Sequence, residues 1–195
     1  MPFKQTGCQE QFDAIIVGAG FAGMYMLHKL RSMGLRVQAY ERGDGVGGTW
    51  YWNRYPGARC DLESMEYSYS FDADLQQDWN WKEKYGTQPE LLEYANHVAD
   101  RFNLRRSIKF QTRIKAAHYD EIESKWTVST DDGARVTATH LVLATGNLST
   151  PQLPDIEGVT EFSGRSFHTG DWPHEEIDFE GRRVGIIGTG SSAVQ

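Results

Sequence analysis

The segment Gly18-Ala19-Gly20-Phe21-Ala22-Gly23 leaves this chain less conformational choice than any other stretch of it. An apolar run, Phe12 to Val17, leads into it and reads as a buried parallel strand. Ala22 to Met33 follows, with Met26, Leu27, Leu30 and Met33 recurring at helical spacing until Gly34 stops the helix. Leu35 to Glu41 is the next strand-like run. Strand, glycine turn, helix and strand in about 30 residues is the size of one right-handed crossover unit.

The glycine spacing has a physical reason. Gly18 permits a tight turn, Gly20 lets the backbone approach a pyrophosphate, and Gly23 lets helix and strand pack closely. The helix start adds free amides and a partial positive charge. Glu41 lies eighteen residues after Gly23. A carboxylate there can accept hydrogen bonds from ribose hydroxyls and repels a 2′-phosphate. Gly188-Thr189-Gly190-Ser191-Ser192-Ala193 repeats the pattern after a second apolar run, Arg183 to Ile187. Two such loops suggest two dinucleotides, and a flavin with a nicotinamide is the economical pair, because a hydride can pass between them.

Between the loops, Arg42 to Trp81 is long, aromatic and irregular. Thr87-Gln88-Pro89-Glu90 has capping-box spacing and predicts a helix running to about Phe102. Ile108 to Gln111 reads as a strand. Ile114 to Ala138 reads as short alternating strands around the Asp131-Asp132-Gly133 turn, and His140 to Ala144 as a separate apolar strand. The expected class is α/β. It comprises a Rossmann-like dinucleotide-binding domain with a small antiparallel β meander (1–146), a linker (147–181), and the start of a second Rossmann-like dinucleotide-binding domain (182–195).

Charge and cysteine usage exclude several classes. A formal charge of −7 and no dense basic run argue against a nucleic-acid partner. The two cysteines, Cys8 and Cys60, lack metal-ligand spacing and make no disulfide framework. No signal-peptide pattern opens the chain, and no apolar run is long enough to span a membrane. A soluble, cytoplasmic protein without a membrane partner is expected. No zinc-type histidine pair, GxSxG elbow or cysteine-histidine signature supports hydrolysis. The Trp50 to Trp81 aromatics read either as a core cluster closed by the Pro56-Gly57 turn or as a wall for a flat ring system. Asp61, after two arginines, reads equally as an ordinary ion-pair partner.

Phe162-x-Gly164-x-x-x-His168-x-x-x-Trp172-Pro173 resembles the fingerprint of the type I Baeyer–Villiger monooxygenases. So do Gly47 to Asp61 (GGTWYWNRYPGARCD), the Ala144-Thr145-Gly146 run and the Pro151-Gln152-Leu153-Pro154 linker. The resemblance runs from Asp13 to Gln195 and is nearest in character to the phenylacetone, steroid and cyclohexanone monooxygenase group.

The resemblance implies FAD and NADP(H) as cofactors, a small-molecule ketone and O2 as substrates, and an ester or lactone made through a flavin C4a-peroxide. It implies that Gly18, Gly20, Phe21, Ala22, Gly23 and Glu41 hold FAD. Thr49, Trp50, Trp52, Asp61 and Tyr67 would contact its pyrophosphate and flavin end, and Ile114 its adenine side. Arg59, Cys60 and Asp61 would approach NADP, and Thr189, Gly190, Ser191, Ser192 and Gln195 would hold its pyrophosphate. Asp61 would pair with a catalytic arginine lying beyond Gln195, and His168 would be a hinge residue. On this reading the chain is the N-terminal portion of a longer enzyme and by itself a non-catalytic FAD-binding fragment. A flavin monooxygenase oxidising nitrogen or sulfur is the alternative.

Overall fold

The structure, a computed structural model, describes residues 10–195, so Cys8 lies outside the described residues. The chain divides into two compact units, the first from described residues 10–46 with 99–145, the second from 47–98 with 146–195.

The first unit is built on a six-stranded mixed sheet. Its strands are β1 (Gln11–Val17), β2 (Val37–Tyr40), β3 (Ile108–Lys109), β4 (Ile114–Asp120), β5 (Lys125–Thr130) and β6 (Arg135–Leu143), in the order β3-β2-β1-β6-β5-β4. β3, β2, β1 and β6 run parallel, and β5 and β4 continue antiparallel from β6. Helix α1 (Phe21–Ser32) is the crossover between β1 and β2. It buries Gly23, Met24 and Leu27, while Met33 of the expected stripe is exposed. The contact face has rotated towards the glycine, where the helix can come closest to the sheet. Phe12, Ile15, Tyr40, Val128, Val136 and Ala138 form the core, with Ile114, Ala117, Trp126 and Leu141 packed on it.

Three strand boundaries differ from expectation. Arg135–Ala138 and His140–Ala144 are not two strands but one, β6, of nine residues. Trp126 to Ser129 pair antiparallel with its first half, and β1 pairs parallel along it from Thr137 to Leu143. These ladders carry the strand straight through Thr139, the exposed residue left between the two expected strands. β2 begins later than Leu35 because the Arg36 N–H is taken by Asp13 Oδ2 at 2.7 Å. β3 is short because Gln111 adopts φ +50° and its N–H turns to the Gly43 carbonyl at 2.9 Å.

The second unit holds α2 (Thr49–Trp52), α3 (Ala73–Asp78) and most of α4 (Gln88–Arg101). Asp72 caps α3 by accepting from the Leu75 N–H at 2.7 Å. Tyr94 of α4 is buried, with Tyr69, Trp79 and Trp81 packed around it at centroid distances of 5.0–6.1 Å. Its hydroxyl accepts from the Tyr69 N–H at 2.8 Å, and Trp81 Nε1 donates to Ser68 Oγ at 2.8 Å. That half of the aromatic segment is therefore core. The expected capping-box acid, Glu90, instead accepts from the Lys82 N–H at 2.7 Å.

From residue 146 onward, regular structure is limited to a 3-10 turn, Thr169–Asp171, and the four-residue α5 (Ser191–Val194). The strand expected at Arg183 to Ile187 does not form. Val184, Ile186 and Ile187 are exposed, and no described residue pairs with them. An apolar run becomes a strand only against a hydrogen-bonded neighbour. Among the described residues, no helix is long and apolar enough to cross a membrane.

Candidate functional site

The first glycine loop joins β1 to α1. Gly18 takes φ +105°, and a Cβ there would lie 2.5 Å from the Ala144 carbonyl oxygen at the end of β6. Its N–H donates to the Tyr40 carbonyl at 2.8 Å, so the turn is fastened to the end of β2. Gly20 is the N-cap of α1 and no side chain caps it; the amides that open a helix have no intrahelical carbonyl to bond and suit an anionic acceptor. A Cβ on Gly23 would sit 2.0 Å from the Gly18 carbonyl oxygen. Gly18 and Gly23 thus serve the tight turn and the close approach that their spacing implies.

Glu41 is buried, and its carboxylate ties the loop together. Oε2 accepts from the Ala19 N–H and Oε1 from the Gly43 N–H, both at 2.9 Å. A carboxylate offers about four acceptor directions, more than these two amides take. A glycine-rich turn, an uncapped helix start and a buried acid with acceptor capacity fit an adenine dinucleotide. The Thr112 N–H donates to the Glu41 carbonyl at 2.9 Å, which fixes the chain entering β4, where Ile114 is half-buried against the core. Thr112 had no sequence signal. In Glu41→Gln an amide donor faces one of the two backbone donors. Stability should fall by about 1–3 kcal/mol, read as a lower urea midpoint with unchanged slope. An unaltered midpoint would contradict this role.

In the second unit, Gly47 and Gly48 take φ +116° and +56° and set the start of α2. Thr49 opens the helix. Trp50 is buried, its carbonyl accepts from Gln88 Nε2, and its ring meets Tyr67 edge-on at 5.6 Å. Burial pushes the Tyr67 phenol above its ordinary range. Trp52 turns instead to Tyr51 at 4.8 Å and His174 at 6.2 Å.

The next segment, Tyr55 to Asp61, is gripped from two sides. On one, the Gln88 N–H donates to the Ala58 carbonyl at 2.8 Å and the Cys60 N–H to the Gly86 carbonyl at 3.0 Å. Cys60 is buried, which raises its thiol pKa, and the Arg59 guanidinium lies 3.3 Å from Glu83. On the other side stands the second glycine loop. Gly188 turns at φ +128°, Thr189 and Gly190 follow, and Ser191 opens α5. Ser192 Oγ is 3.2 Å from the Tyr55 hydroxyl, and Gln195 Nε2 donates to Asp61 Oδ1 at 3.0 Å. Arg59, Cys60 and Asp61 are therefore brought together with Ser192 and Gln195. Tyr55, which joins them, was missed from sequence. Its one signal was its place before the Pro56-Gly57 turn.

His168 caps the 3-10 turn. Its Nδ1 accepts from the Gly170 N–H at 3.0 Å, and Nε2 lies 3.2 Å from the Gln152 carbonyl. These partners place the ring proton on Nε2. The Phe167 and Trp172 rings pack against each other at 5.2 Å, tilted by 40°, while Phe162 is exposed. His168→Ala should cost about 1 kcal/mol locally and speed amide exchange at Gly170, measured by hydrogen–deuterium exchange. Unchanged protection there would refute the capping role.

A strand-bound glycine turn, a buried acid just past the end of β2 and a second glycine loop are the features of a dinucleotide-binding fold. The chain belongs to the family described as pyridine nucleotide-disulphide oxidoreductase, whose model matches residues 15–195. It is 54% identical over 185 residues to a Baeyer-Villiger monooxygenase of Pseudooceanicola batsensis, covering 94% of this chain and 34% of the relative. It is 51% identical to a phenazine N-monooxygenase of Lysobacter antibioticus, covering 94% of this chain and 34% of that relative. The solved structure of an oxidized steroid monooxygenase bound to NADP matches with a TM-score of 0.89 at 57% identity, covering 95% of this chain and 36% of that one. The first and third are of the group to which the fingerprint and the aromatic turn pointed. The chain spans about a third of the length of the curated relatives it matches.

Proposed function

We propose that this chain supplies the FAD-binding part and the start of the NADP-binding part of a Baeyer–Villiger monooxygenase. The net reaction is ketone + O2 + NADPH + H+ giving ester or lactone + NADP+ + H2O. The observation that carries this reading is the seating of Asp61, the acid of the aromatic turn, against the helix that opens from the second glycine loop.

Gly18, Gly20, Phe21, Ala22, Gly23 and Glu41 are the residues for the FAD dinucleotide, with Ile114 towards adenine. Thr49, Trp50, Trp52, Asp61 and Tyr67 are those for its pyrophosphate and flavin end. Arg59 to Asp61 and Thr189 to Ser192 are assigned to the nicotinamide dinucleotide. Bound FAD supplies hydride acceptance from NADPH and activation of O2. The Trp50 and Tyr67 rings, packed edge-on, would exclude water at the flavin end, which would strengthen any charge interaction there. Asp61 orients the cation that stabilises negative charge developing on oxygen. His168, fastening the Gln152 linker to the fingerprint turn, is the hinge residue. Residues 1–146, 147–181 and 182–195 are the proposed functional divisions. The cytoplasm is the proposed compartment, on the low cysteine count and the buried free thiol of Cys60.

The phenazine N-monooxygenase relative keeps nitrogen oxidation as the second reading. The holoenzyme should be given NADPH and air with a cyclic ketone or an aromatic N-heterocycle, and the products identified by mass. Lactone from the ketone supports the proposal. An N-oxide with no lactone replaces it by the second reading.

A further inference from the structure

We infer that Gln195 is a positioning residue for Asp61 rather than a ligand of the nicotinamide dinucleotide. A glutamine side chain has two N–H donors and two acceptor lone pairs. In Gln195 all four are used by the Tyr55 to Asp61 segment. Nε2 donates to the Arg59 carbonyl at 3.1 Å and to Asp61 Oδ1 at 3.0 Å. Oε1 accepts from the Tyr55 hydroxyl at 2.7 Å and from the Arg59 N–H at 3.4 Å. Two oxygen acceptors on one side and two donors on the other fix which way the amide faces. No capacity remains for a pyrophosphate oxygen, which would in any case need the donors that Asp61 and Arg59 hold.

The backbone is shaped to allow this grip. A Cβ on Gly57 would lie 2.2 Å from the Gln195 carbonyl oxygen, and Gly57 takes φ +81°. On its far side the segment is pinned by the Arg59–Thr87 bridge and the Gln88 and Cys60 amides. Arg59 and Cys60 therefore have little freedom, whereas the Asp61 side chain is exposed and would otherwise rotate. One hydrogen bond to Oδ1 sets its rotamer and leaves the other oxygen to meet a cation. Gln195 thus acts on charge stabilisation through Asp61.

The inference rests on the proposed role of Asp61, and the test separates the two. Gln195→Leu keeps the bulk and removes the amide. In the FAD-loaded holoenzyme three quantities are read: NADP+ affinity by flavin absorbance titration, ester formed per NADPH consumed, and hydrogen exchange of the 55–61 amides. Gln195→Leu should change the NADP+ Kd by no more than about threefold and lower the ester yield per NADPH by about tenfold. Exchange in 55–61 should become faster. In the Asp61→Ala background Gln195→Leu should add no further loss, because both act through one carboxylate. A Kd raised by about tenfold or more with the yield unchanged makes Gln195 a cofactor ligand and overturns the inference. If Asp61→Ala loses yield while Gln195→Leu keeps it, the inference falls and the reading of Asp61 stands. If Asp61→Ala itself keeps the wild-type yield, both fall.

Discussion

Alanine at Gly23 is expected to leave the protein without bound flavin. The added methyl would lie 2.0 Å from the Gly18 carbonyl oxygen and 2.9 Å from the carbonyl carbon. Both are backbone atoms, so no side-chain rotation relieves the clash. The helix must lift from the sheet or the turn must open. The turn has nowhere to go, since Gly18 is itself fastened to the Tyr40 carbonyl and closed against Ala144. Overpacking of a well-packed site costs about 1–3 kcal/mol, and the receiving atoms here place the change at or above the upper end. The helix start and the Ala19 amide held by Glu41 move with it, so the anion-facing amides no longer converge. Flavin per protein, from the visible-to-ultraviolet absorbance ratio of the purified enzyme, should fall by about tenfold or more. A Gly23→Ala enzyme with full flavin and unchanged thermal midpoint would contradict the assigned packing.

Asp61→Ala should do the reverse, sparing the flavin and disabling the chemistry. The side chain is exposed and its hydrogen bond to Gln195 can be replaced by water, so the stability change should stay within about 0.5 kcal/mol. The residues of the first glycine turn and Glu41 are untouched. The loss should fall on the cation that Asp61 is proposed to orient, and removing one such preorganised electrostatic contact lowers turnover by on the order of 10²-fold. NADPH consumption should continue with peroxide released in place of ester. Loss of bound flavin with normal turnover per remaining flavin would show that Asp61 serves binding instead.

What the sequence made legible were features whose requirement is local. Gly23 is demanded by sterics within six residues, against the Gly18 carbonyl, and Gly18 by its own positive φ, to which the distant Ala144 carbonyl adds a contact that no local pattern shows. Glu41 was legible as an acid at a strand end, but not its two amide partners, which depend on how the turn closes. The ladders that make β6 continuous come from β1 and β5, so the gap at Thr139 between the two expected strands is one that pairing overrides. Trp79 and Trp81 pack on Tyr94, a residue of a later helix, so their role as core could not be told from that of a ring-binding wall. Val184 to Ile187 carries a strand pattern without a neighbour to pair with. Gln195 meets partners more than 130 residues earlier, and its type alone gives no hint of them.

The most direct test of the proposed oxygenation is isotope transfer. The FAD-loaded holoenzyme is given a cyclic ketone, NADPH and 18O2, and the lactone is analysed by mass spectrometry against NADPH consumed. One 18O atom in each lactone, with one lactone for each NADPH, is the predicted result. NADPH oxidation yielding only labelled peroxide and water, with the ketone recovered unchanged, would contradict it.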